Sequence, residues 1–326
     1  MRRRALVFTL CAALCACIAI PVHAEIPPGP LLTWGTLGSG LANLDHPYGI
    51  ASDAAGNLYV ADQHNHRVMV YDGDGNLLAH WGSFGTGPGQ MSYPTGIAVA
   101  SDGYVYVTEN QGQRISKFTT SGVPVGVFGV GLLAYPVGIA LDASNNLYVV
   151  QTGPTWSPDP RIWVFSPTGA LLGWYGTYGS GPGQLISPYG IDIVGSTMYV
   201  SDIDNQRVTH FGLDGSYLGS WGTYGVAPGQ FYGCEGIAHD NAGNLFVCDT
   251  GNNRVQKFTS SGTLLSVFGL QGSALGQLYT PSDVALDANG AIYVAEWNNA
   301  RIQKWMYGDP TPVHRITWGA LKTSYR

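Results

Sequence analysis

Three histidines near the start of the chain have the chemistry to hold a metal ion. His46 follows Asp45, and His64 and His66 lie in the short segment "QHNHR". Imidazole nitrogens in groups of three are common ligands of Zn²⁺. Histidines in an exposed loop are more often ordinary polar turn residues, so the pattern leaves a zinc site at His46, His64 and His66 and a metal-free turn both open.

Three carboxylates form a second group with metal-binding chemistry. Glu235, Asp283 and Glu296 occupy related places in the last two units of an internal repeat. Carboxylate oxygens are the ligands that Ca²⁺ prefers, and three of them could hold one ion. Such groups are more often solvated or paired with neighbouring arginines. We therefore expect no obligatory cofactor, and Ca²⁺ and Zn²⁺ remain the two candidates.

Two cysteines could form a covalent link in the same region. Cys234 and Cys248 are the only cysteines after residue 17. An even number of cysteines in an exported chain is typical of a disulfide. The strand register that we expect makes the pair diagonal and its geometry marginal. The sequence predicts a disulfide between Cys234 and Cys248.

The elements that position these residues follow from a repeat. Six arginines recur with spacings of 47, 47, 46, 47 and 47 residues: Arg67, Arg114, Arg161, Arg207, Arg254 and Arg301. Five of them follow an acid by five residues: Asp62, Glu109, Asp202, Asp249 and Glu296. A charged pair present in nearly every unit indicates a hairpin brace, since a feature shared by all units cannot by itself make an asymmetric site. Function is expected where the pattern breaks.

Each unit contains four short strands, which we call a to d. Strand a begins around a Gly-Ile-Ala motif, the anchor, whose first positions are Gly49, Gly96, Gly138, Gly190, Gly236 and Asp283. Strands b and c are alternating runs such as "NLFVCD" and "RVQKF", and strand d ends in an aromatic residue such as Trp81. Turns rich in Gly and Asn separate them, as tight hairpins require.

Four strands in each of six units of about 47 residues predict an all-β fold, a six-bladed β-propeller of four-stranded antiparallel blades. We expect residues 25–326 to form this single domain. "LLTWG" at 31–35 and "RITWG" at 315–319 both have the strand-d pattern without a preceding a, b or c. One of them should complete blade six and the other lie beside it, so that the two chain ends close the ring.

The unit "P-x-G-I-A…D-x-x-G-N-L-Y-V-A-D…N-x-R-V-x-x-F" resembles the NHL repeat, and the resemblance covers nearly all of the chain after residue 24. It implies a propeller but no single function, because such propellers include binding modules, receptor sensor domains, RNA-binding domains and amidating lyases. The lyases place zinc histidines just before the anchor in three blades. No histidine stands there in this chain, so that zinc site does not carry over. A lactonase-type metal cage could not be assembled either.

Ligands of propellers usually bind where the d–a linkers and b–c turns surround the mouth of the central channel. The residues just before the anchors should ring this mouth, among them Tyr48, Thr95, Tyr189 and Glu235, with Asp283 beside them. In blade three the b–c turn "QTGPTWSPDPR" is five residues longer than the others, replaces the acid by Gln151 and carries Trp156. Trp156 could stack on a ligand or cover the blade edge. Trp297 should add to an aromatic rim.

The N-terminus predicts export. Arg2 to Arg4 precede an apolar run that ends at Pro21, and small residues precede a cleavage position after Ala24, as in a signal peptide. We expect a periplasmic or extracellular protein, with a lipoprotein attached through Cys17 as the minor alternative. The apolar run is too short for a comfortable membrane span. No membrane span is expected in the chain that remains after cleavage.

Charge excludes several partners. Without residues 1–24 the chain has 12 Lys and Arg against 21 Asp and Glu, a net charge of −9. Nucleic acid and anionic membranes need a basic face. No Ser-His-Asp arrangement is apparent among the few histidines. We therefore expect a monomeric, non-catalytic module that binds protein, peptide or glycan at the channel mouth, with a metal-dependent lyase or hydrolase as the alternative.

Overall fold

The computed structural model describes residues 25–153 and 159–308. It contains six four-stranded antiparallel sheets, arranged as the blades of a propeller. The first strand, β1, spans Gly29–Trp34, and each of the next five groups of four strands forms one blade. The predicted fold class is confirmed.

The strands follow one another from the channel outward within each blade. Blade one contains β2 (Pro47–Ser52), β3 (Leu58–Asp62), β4 (Arg67–Tyr71) and β5 (Leu77–Trp81). Blade two contains β6 (Pro94–Val99), β7 (Tyr104–Glu109), β8 (Arg114–Thr119) and β9 (Pro124–Phe128). Blade three contains β10 (Pro136–Leu141), β11 (Leu147–Gln151), β12 (Arg161–Phe165) and β13 (Leu171–Tyr175).

The second half of the ring repeats this order. Blade four contains β14 (Pro188–Val194), β15 (Thr197–Asp202), β16 (Arg207–Gly212) and β17 (Tyr217–Trp221). Blade five contains β18 (Cys234–His239), β19 (Leu245–Asp249), β20 (Arg254–Phe258) and β21 (Leu264–Phe268), with a short 3₁₀ turn at Thr250–Asn252. Blade six contains β22 (Pro281–Leu286), β23 (Ala291–Glu296) and β24 (Arg301–Met306).

The N-terminal strand β1 supplies the outer strand of blade six. It pairs antiparallel with β24, with Gly29 opposite Met306 and Trp34 opposite Ile302. Trp34 then packs against Tyr71 of blade one, with the ring centroids 5.8 Å apart. The structure thus assigns "LLTWG" to the closing strand, while "RITWG" at 315–319 lies outside the described residues.

The core consists of six apolar clusters, one between each pair of neighbouring blades. The strand-d aromatics take part in all six: Trp34, Trp81, Phe128, Tyr175, Trp221 and Phe268. A single four-stranded sheet cannot bury both faces by itself, so the stacking of blades holds the fold together.

The anchor glycines set the distance between blades at the channel. A β-carbon at Gly49 would lie 2.2 Å from the carbonyl oxygen of Thr95 in the next blade. A β-carbon at Gly138 would lie 2.4 Å from the carbonyl oxygen of Tyr189. Neighbouring inner strands therefore approach too closely for any side chain at these positions, which explains why the repeat uses glycine there.

The repeated arginines brace the turns, as predicted, but they do so in buried surroundings. In blades one, two, five and six the arginine Nε binds the acid at the end of strand b, at 2.6–2.8 Å, and each of these acids is fully buried. The terminal nitrogens donate to carbonyl oxygens of the d–a linker; Arg301, for example, binds Ser273 O and Gln277 O. The brace thus ties the b–c turn to the linker before it.

Two blades depart from this pattern. In blade three Gln151 takes the place of the acid, and Arg161 pairs instead with Asp159 at 2.8 Å. In blade four the terminal nitrogens of Arg207 bind the carbonyls of Ser180 and Gln184, while its buried Nε has no partner among the described residues. The brace therefore differs in strength from blade to blade.

Among residues 25–153 and 159–308, no helix has the length and apolar character needed to cross a bilayer.

Candidate functional site at the channel mouth

The six inner strands enclose a central cavity of about 320 Å³. Strand a begins opposite the end of strand b, so Pro47 faces Asp62, and Asp62 in turn faces Arg67 at the start of strand c. The first residues of every inner strand therefore lie at the same end of the channel as the d–a linkers and b–c turns. We call this end the channel mouth.

Three side chains from three blades meet at the channel mouth. Tyr48 on β2 donates its hydroxyl hydrogen to Glu235 Oε2 on β18, at 3.1 Å. Tyr189 on β14 lies beside them, with its ring centroid 6.1 Å from that of Tyr48. We call Tyr48, Tyr189 and Glu235 the entrance cluster. The sequence predicted all three as channel residues, and the structure brings them together.

Burial changes the acidity of the entrance cluster. It raises the pKa of Glu235 to about 8, and the nearby charge of Asp283 adds to this, while the hydrogen bond from Tyr48 opposes it. Burial, followed by the charge of Glu235, also raises the pKa of Tyr48 and of Tyr189. A carboxyl group with a pKa near neutrality can bind a proton or a cation under ordinary conditions.

Asp283 lies one residue further along its strand than the entrance cluster. It occupies the anchor position of β22, where the other five blades have glycine. Its two carboxylate oxygens accept hydrogen bonds from the backbone nitrogens of Ile50 at 3.0 Å and Val284 at 2.9 Å. Burial raises the pKa of Asp283 to about 7, with a further contribution from the charge of Asp192. Asp283 thus joins blade six to blade one and lines the channel.

The deeper part of the channel contains a pair that the sequence analysis missed. Asp192 on β14 and His239 on β18 contact each other across two blades, with Oδ2 and Nδ1 2.6 Å apart. The hydrogen bond to Asp192 raises the pKa of His239. A signal was available, because Asp192 replaces the alanine that follows the anchor isoleucine in four of the other blades: Ala51, Ala98, Ala140 and Ala238.

Exposed aromatic side chains lie on the d–a linkers, which are at the same end of the blades as the channel mouth. We call this set the aromatic rim: Phe84, Tyr93, Tyr178, Tyr224, Tyr232 and Tyr279. Tyr224 and Phe84 are the most exposed, at 69% and 66% of their surface. Large exposed aromatic groups on one face are typical of an interaction surface.

Two other predicted site residues, Thr95 and Gln151, are buried and form hydrogen bonds within the protein. Thr95 is buried, and its hydroxyl group donates to the carbonyl oxygen of Pro136. Gln151 is buried and accepts hydrogen bonds from Ala134 N and Trp163 Nε1. The prediction of ligand contacts at Thr95 and Gln151 is therefore not supported, because each side chain points into the blade packing. Trp156 lies outside the described residues.

Glu296 is also part of the fold. It is fully buried and binds Arg301 and Asn299, as in the brace of the other blades. It consequently does not join Glu235 and Asp283, and the calcium site suggested for these three residues is not assembled in the structure.

The predicted histidine group is only partly assembled. Asp45, His46 and His64 have donor atoms within 4.8 Å of one another. Trp297 packs over His46, with the ring centroids 4.0 Å apart. His66 is turned toward the next linker, where its Nδ1 accepts a hydrogen bond from Tyr93 N. In the structure the third member of this group is therefore Asp45, and not His66 as the sequence suggested.

The predicted disulfide is absent, and Cys234 and Cys248 are both free and buried. Cys234 belongs to the cluster between blades four and five, whereas Cys248 belongs to the cluster between blades five and six. Cys234 is paired with Asp249 in the register, so Cys248 lies one position away and points to the opposite face of the blade. The disulfide prediction was wrong for this reason.

A comparison with known families agrees with the fold. A family model described as the NHL repeat matches residues 44–71, 231–258 and 278–305. These segments run through strands a, b and c of blades one, five and six, and the other blades have the same four-stranded form. The chain therefore contains NHL repeats within a six-bladed propeller.

A curated relative shares the repeat over a short stretch. Protein lin-41 of Caenorhabditis elegans is 47% identical over 51 residues. The match covers 16% of this chain and 4% of lin-41, so it concerns a small part of that protein.

Solved structures share the overall architecture. Virginiamycin B lyase from Staphylococcus aureus matches with a TM-score of 0.59 and 16% identity, covering 85% of this chain and 99% of the lyase. XC5397 from Xanthomonas campestris, described as a gluconolactonase, matches with a TM-score of 0.59 and 16% identity, covering 87% and 99% of the two chains. At this level of identity the similarity shows the fold alone.

Proposed function

We propose that this propeller is a non-catalytic binding module that takes a peptide across the channel mouth, with a lysine or arginine side chain inserted into the channel. The observation that carries the proposal is Glu235, a partly buried carboxyl group that accepts a hydrogen bond from Tyr48, which lines a cavity of about 320 Å³. That volume is within the range of small-ligand pockets and suits one long side chain.

Charge complementarity supports a basic group. Asp192 and Asp283 line the cavity, and Glu235 lies beside it, hydrogen-bonded to Tyr48; among the described residues, only Asp192 of these three is paired with a basic side chain, His239. An ammonium or guanidinium group near Glu235 and Asp283 would favour their ionised forms and form charge-assisted hydrogen bonds. The net charge of −9 after residue 24 would favour the approach of a basic peptide.

The aromatic rim supports a polymeric ligand. Its side chains come from four different linkers, so they could contact residues on both sides of the inserted group. Tyrosine and phenylalanine supply large contact areas at interfaces, and tyrosine also supplies a hydroxyl group. A peptide with a basic side chain would use both the aromatic rim and the carboxyl groups, whereas a neutral glycan would use the rim without the carboxyl groups.

The test is binding of labelled peptides that carry lysine or arginine, compared with the same peptides carrying norleucine or citrulline. We expect measurable affinity only for the basic peptides and a loss of at least about tenfold in Glu235→Gln, in line with a charge-assisted hydrogen bond of about 1.5–3 kcal/mol. Asp102→Asn changes an exposed carboxylate in an a–b turn and is the matched control. Equal binding of basic and neutral peptides, or binding of neutral glycans alone, would contradict the proposal.

The alternative is a metal-dependent lyase or hydrolase. The Asp192–His239 pair in the channel favours it, because a carboxylate-oriented imidazole can transfer protons. The fold is also shared with a lyase and with a gluconolactonase. Hydrolysis of gluconolactone, measured with added Zn²⁺ or Ca²⁺, tests this alternative. Turnover that disappears in His239→Gln would place the enzyme ahead of the binding module.

We further propose that the protein is exported and that residues 1–24 are removed. The mass of the protein recovered from outside the cytoplasm tests this. A polypeptide beginning at Glu25 is expected, whereas a lipid attached at Cys17 would add its mass and leave eight more residues, 17–24.

A further inference from the structure

Asp45, His46 and His64 converge at the channel mouth of blade one, outside the lining of the central cavity. Asp45 and His46 lie on the linker between β1 and β2, and His64 lies in the turn between β3 and β4. The Nδ1 atom of His64 is 3.5 Å from Asp45 Oδ1, and the Nδ1 atom of His46 contacts the same oxygen. Two imidazoles and one carboxylate thus face one small volume.

The backbone fixes the relative positions of these groups. The amide of Asp45 donates to Asp62 Oδ1 at 2.7 Å, so the brace of blade one holds this linker. The amide of His64 donates to the carbonyl oxygen of Asp45 at 3.1 Å, which ties the turn to the linker. Ligands held in this way lose little conformational freedom when a metal binds.

The surroundings give the group one closed side and one open side. The His46 and His64 rings lie 4.2 Å apart, and Trp297 covers them with centroid distances of 4.0 and 6.1 Å. The three side chains keep 25–36% of their surface exposed. A metal ion could therefore enter from solvent and keep a position for water or another ligand.

We propose that Asp45, His46 and His64 form a Zn²⁺ site with three protein ligands and one open coordination position. Zn²⁺ is bound by histidine nitrogen and carboxylate oxygen at about 2.0–2.2 Å, so the ligand atoms of a tetrahedral site lie about 3.4 Å apart. The donor atoms of Asp45, His46 and His64 lie within 4.8 Å of one another, so small side-chain rotations would bring them to the separation that a tetrahedral site needs. Three ligands with an open position are typical of zinc sites that bind an exchangeable molecule.

The direct test is titration of metal-free protein, residues 25–326 without an affinity tag, with ZnCl₂ in a calorimeter. We expect one Zn²⁺ per chain. His64→Gln and Asp45→Asn should each weaken binding by at least about 100-fold, because they remove ligands, whereas the loss of an outer partner costs 10–100-fold. His66→Gln, in the same turn but turned away, and His80→Gln, exposed on β5, are matched controls that should bind as the wild type does.

Trp297 provides a second readout. Cu²⁺ in the same site would quench the fluorescence of an indole ring 4 Å away from His46. The quenching should saturate at one equivalent and should be largely lost in Trp297→Phe, although the other tryptophans remain. This measurement locates the metal and does not depend on any enzymatic activity.

Two results would overturn the proposal. One is the absence of stoichiometric Zn²⁺ binding by the wild-type protein. The other is binding that persists in Asp45→Asn and His64→Gln, since the metal would then lie elsewhere. The wild-type titration tests the first point even if a variant fails to fold. Thermal melts of each variant identify such a failure. Peptide binding by the channel is measured separately and can fail without affecting this result.

Discussion

At the scale of single residues, titration of Glu235 makes the stability of the fold depend on pH. Its carboxyl group accepts a hydrogen bond from Tyr48 and lies near Tyr189 and Asp283, and burial raises its pKa from an ordinary value of 4.5 to about 8. The folded protein therefore binds more protons than the unfolded chain between these two values. Stability falls as pH rises through this range, since the unfolded state ionises the group more readily.

We predict that Glu235→Gln reduces the loss of stability between pH 5 and pH 8. One proton contributes at most about 1.4 kcal/mol per pH unit to the free energy of unfolding, and solvent screening of this partly exposed group reduces the contribution. Asp283, with a pKa raised to about 7, and His239, with a raised pKa, contribute in the same direction, while the lowered pKa values of His64 and His66 act oppositely. The informative quantity is thus the difference between wild type and variant, measured by urea unfolding.

A variant that follows the wild-type pH profile, as Asp102→Asn should, would contradict this prediction. Glutamine keeps the size of the side chain and can still accept the hydrogen bond from Tyr48. The comparison therefore reports titration of the carboxyl group and not loss of packing.

The two cysteines allow a second residue-scale prediction. Burial raises the pKa of both thiols, at Cys234 and Cys248, and leaves them out of contact with solvent. We expect no reaction of the folded 25–326 chain with DTNB and two reactive thiols after unfolding in guanidinium chloride, because the thiolate is the reactive form. Finding no thiols in the unfolded, unreduced chain would show that they are oxidised and would count against the free pair.

Single residues also show where the sequence was sufficient. Tyr48, Tyr189 and Glu235 could be predicted because the repeat aligns them at one position of the inner strand. Thr95 occupies that same position but turns into the blade, since its hydroxyl group finds a partner in Pro136 O. The direction of a side chain at the start of a strand depends on the neighbouring blade, and the repeat alone does not contain this information.

At the scale of elements, the brace links each b–c turn to the linker before it, and its strength should vary with its contacts. In blade six, Arg301 binds a fully buried Glu296 through Nε and three linker carbonyls through its terminal nitrogens. In blade four, Asp202 is satisfied by the amides of Ile186 and Ser187 and by Asn205, and Arg207 Nε has no partner within the described part of the chain. The two blades form an internal comparison.

We predict that Arg301→Ala lowers the free energy of unfolding by about 3–5 kcal/mol, because it leaves a buried carboxylate without its charged partner. Arg207→Ala should cost clearly less, since Arg207 Nε makes no hydrogen bond to Asp202 and its removal breaks no direct ion pair with that carboxylate. Urea denaturation of both variants measures the difference. Equal losses would mean that the linker contacts, and not the ion pair, determine the contribution of the arginine.

The period of 47 residues was enough to predict the number of blades and the role of the repeated pair. It was not enough to predict burial, because the sequence does not show that the d–a linker folds over the guanidinium group. Asp192 and His239 were missed for a related reason. They lie 47 residues apart on neighbouring inner strands, and they meet only because the glycine anchors bring those strands close together.

At the scale of the whole molecule, the ring depends on β1. This strand completes blade six and places Trp34 against Tyr71 and Tyr293, which belong to blades one and six. The choice between the two candidate closing segments could not be made from the sequence, because both contain "TWG" after apolar residues. Pairing with β24 over the length of β1 is a property of the folded blade.

We predict that removing residues 25–34 lowers the melting temperature by about 10 °C or more and promotes aggregation. The deletion exposes the edge of β24 and the apolar surface under Trp34, and a loss of several kcal/mol shifts the melting temperature by about 2–4 °C per kcal/mol in a domain of this size. Calorimetry and size-exclusion chromatography measure both effects. Trp174→Ala, which changes a half-exposed tryptophan on β13, is the control, and an equal effect of that substitution would argue against a special role for the closing strand.

The closure of the ring by β1 also bears on circular permutation of the chain. In every other blade a short Gly-containing turn joins strand c to strand d, whereas the corresponding strands β24 and β1 are joined by pairing alone. Trp34 packs on Gly75 of the next blade just as Trp81 packs on Gly122, so the packing does not distinguish the two kinds of junction. A circular permutant that joins Gly308 to Gly29 through such a turn, and begins instead at Val123, should therefore retain all six blades and transfer the break in the chain to blade two.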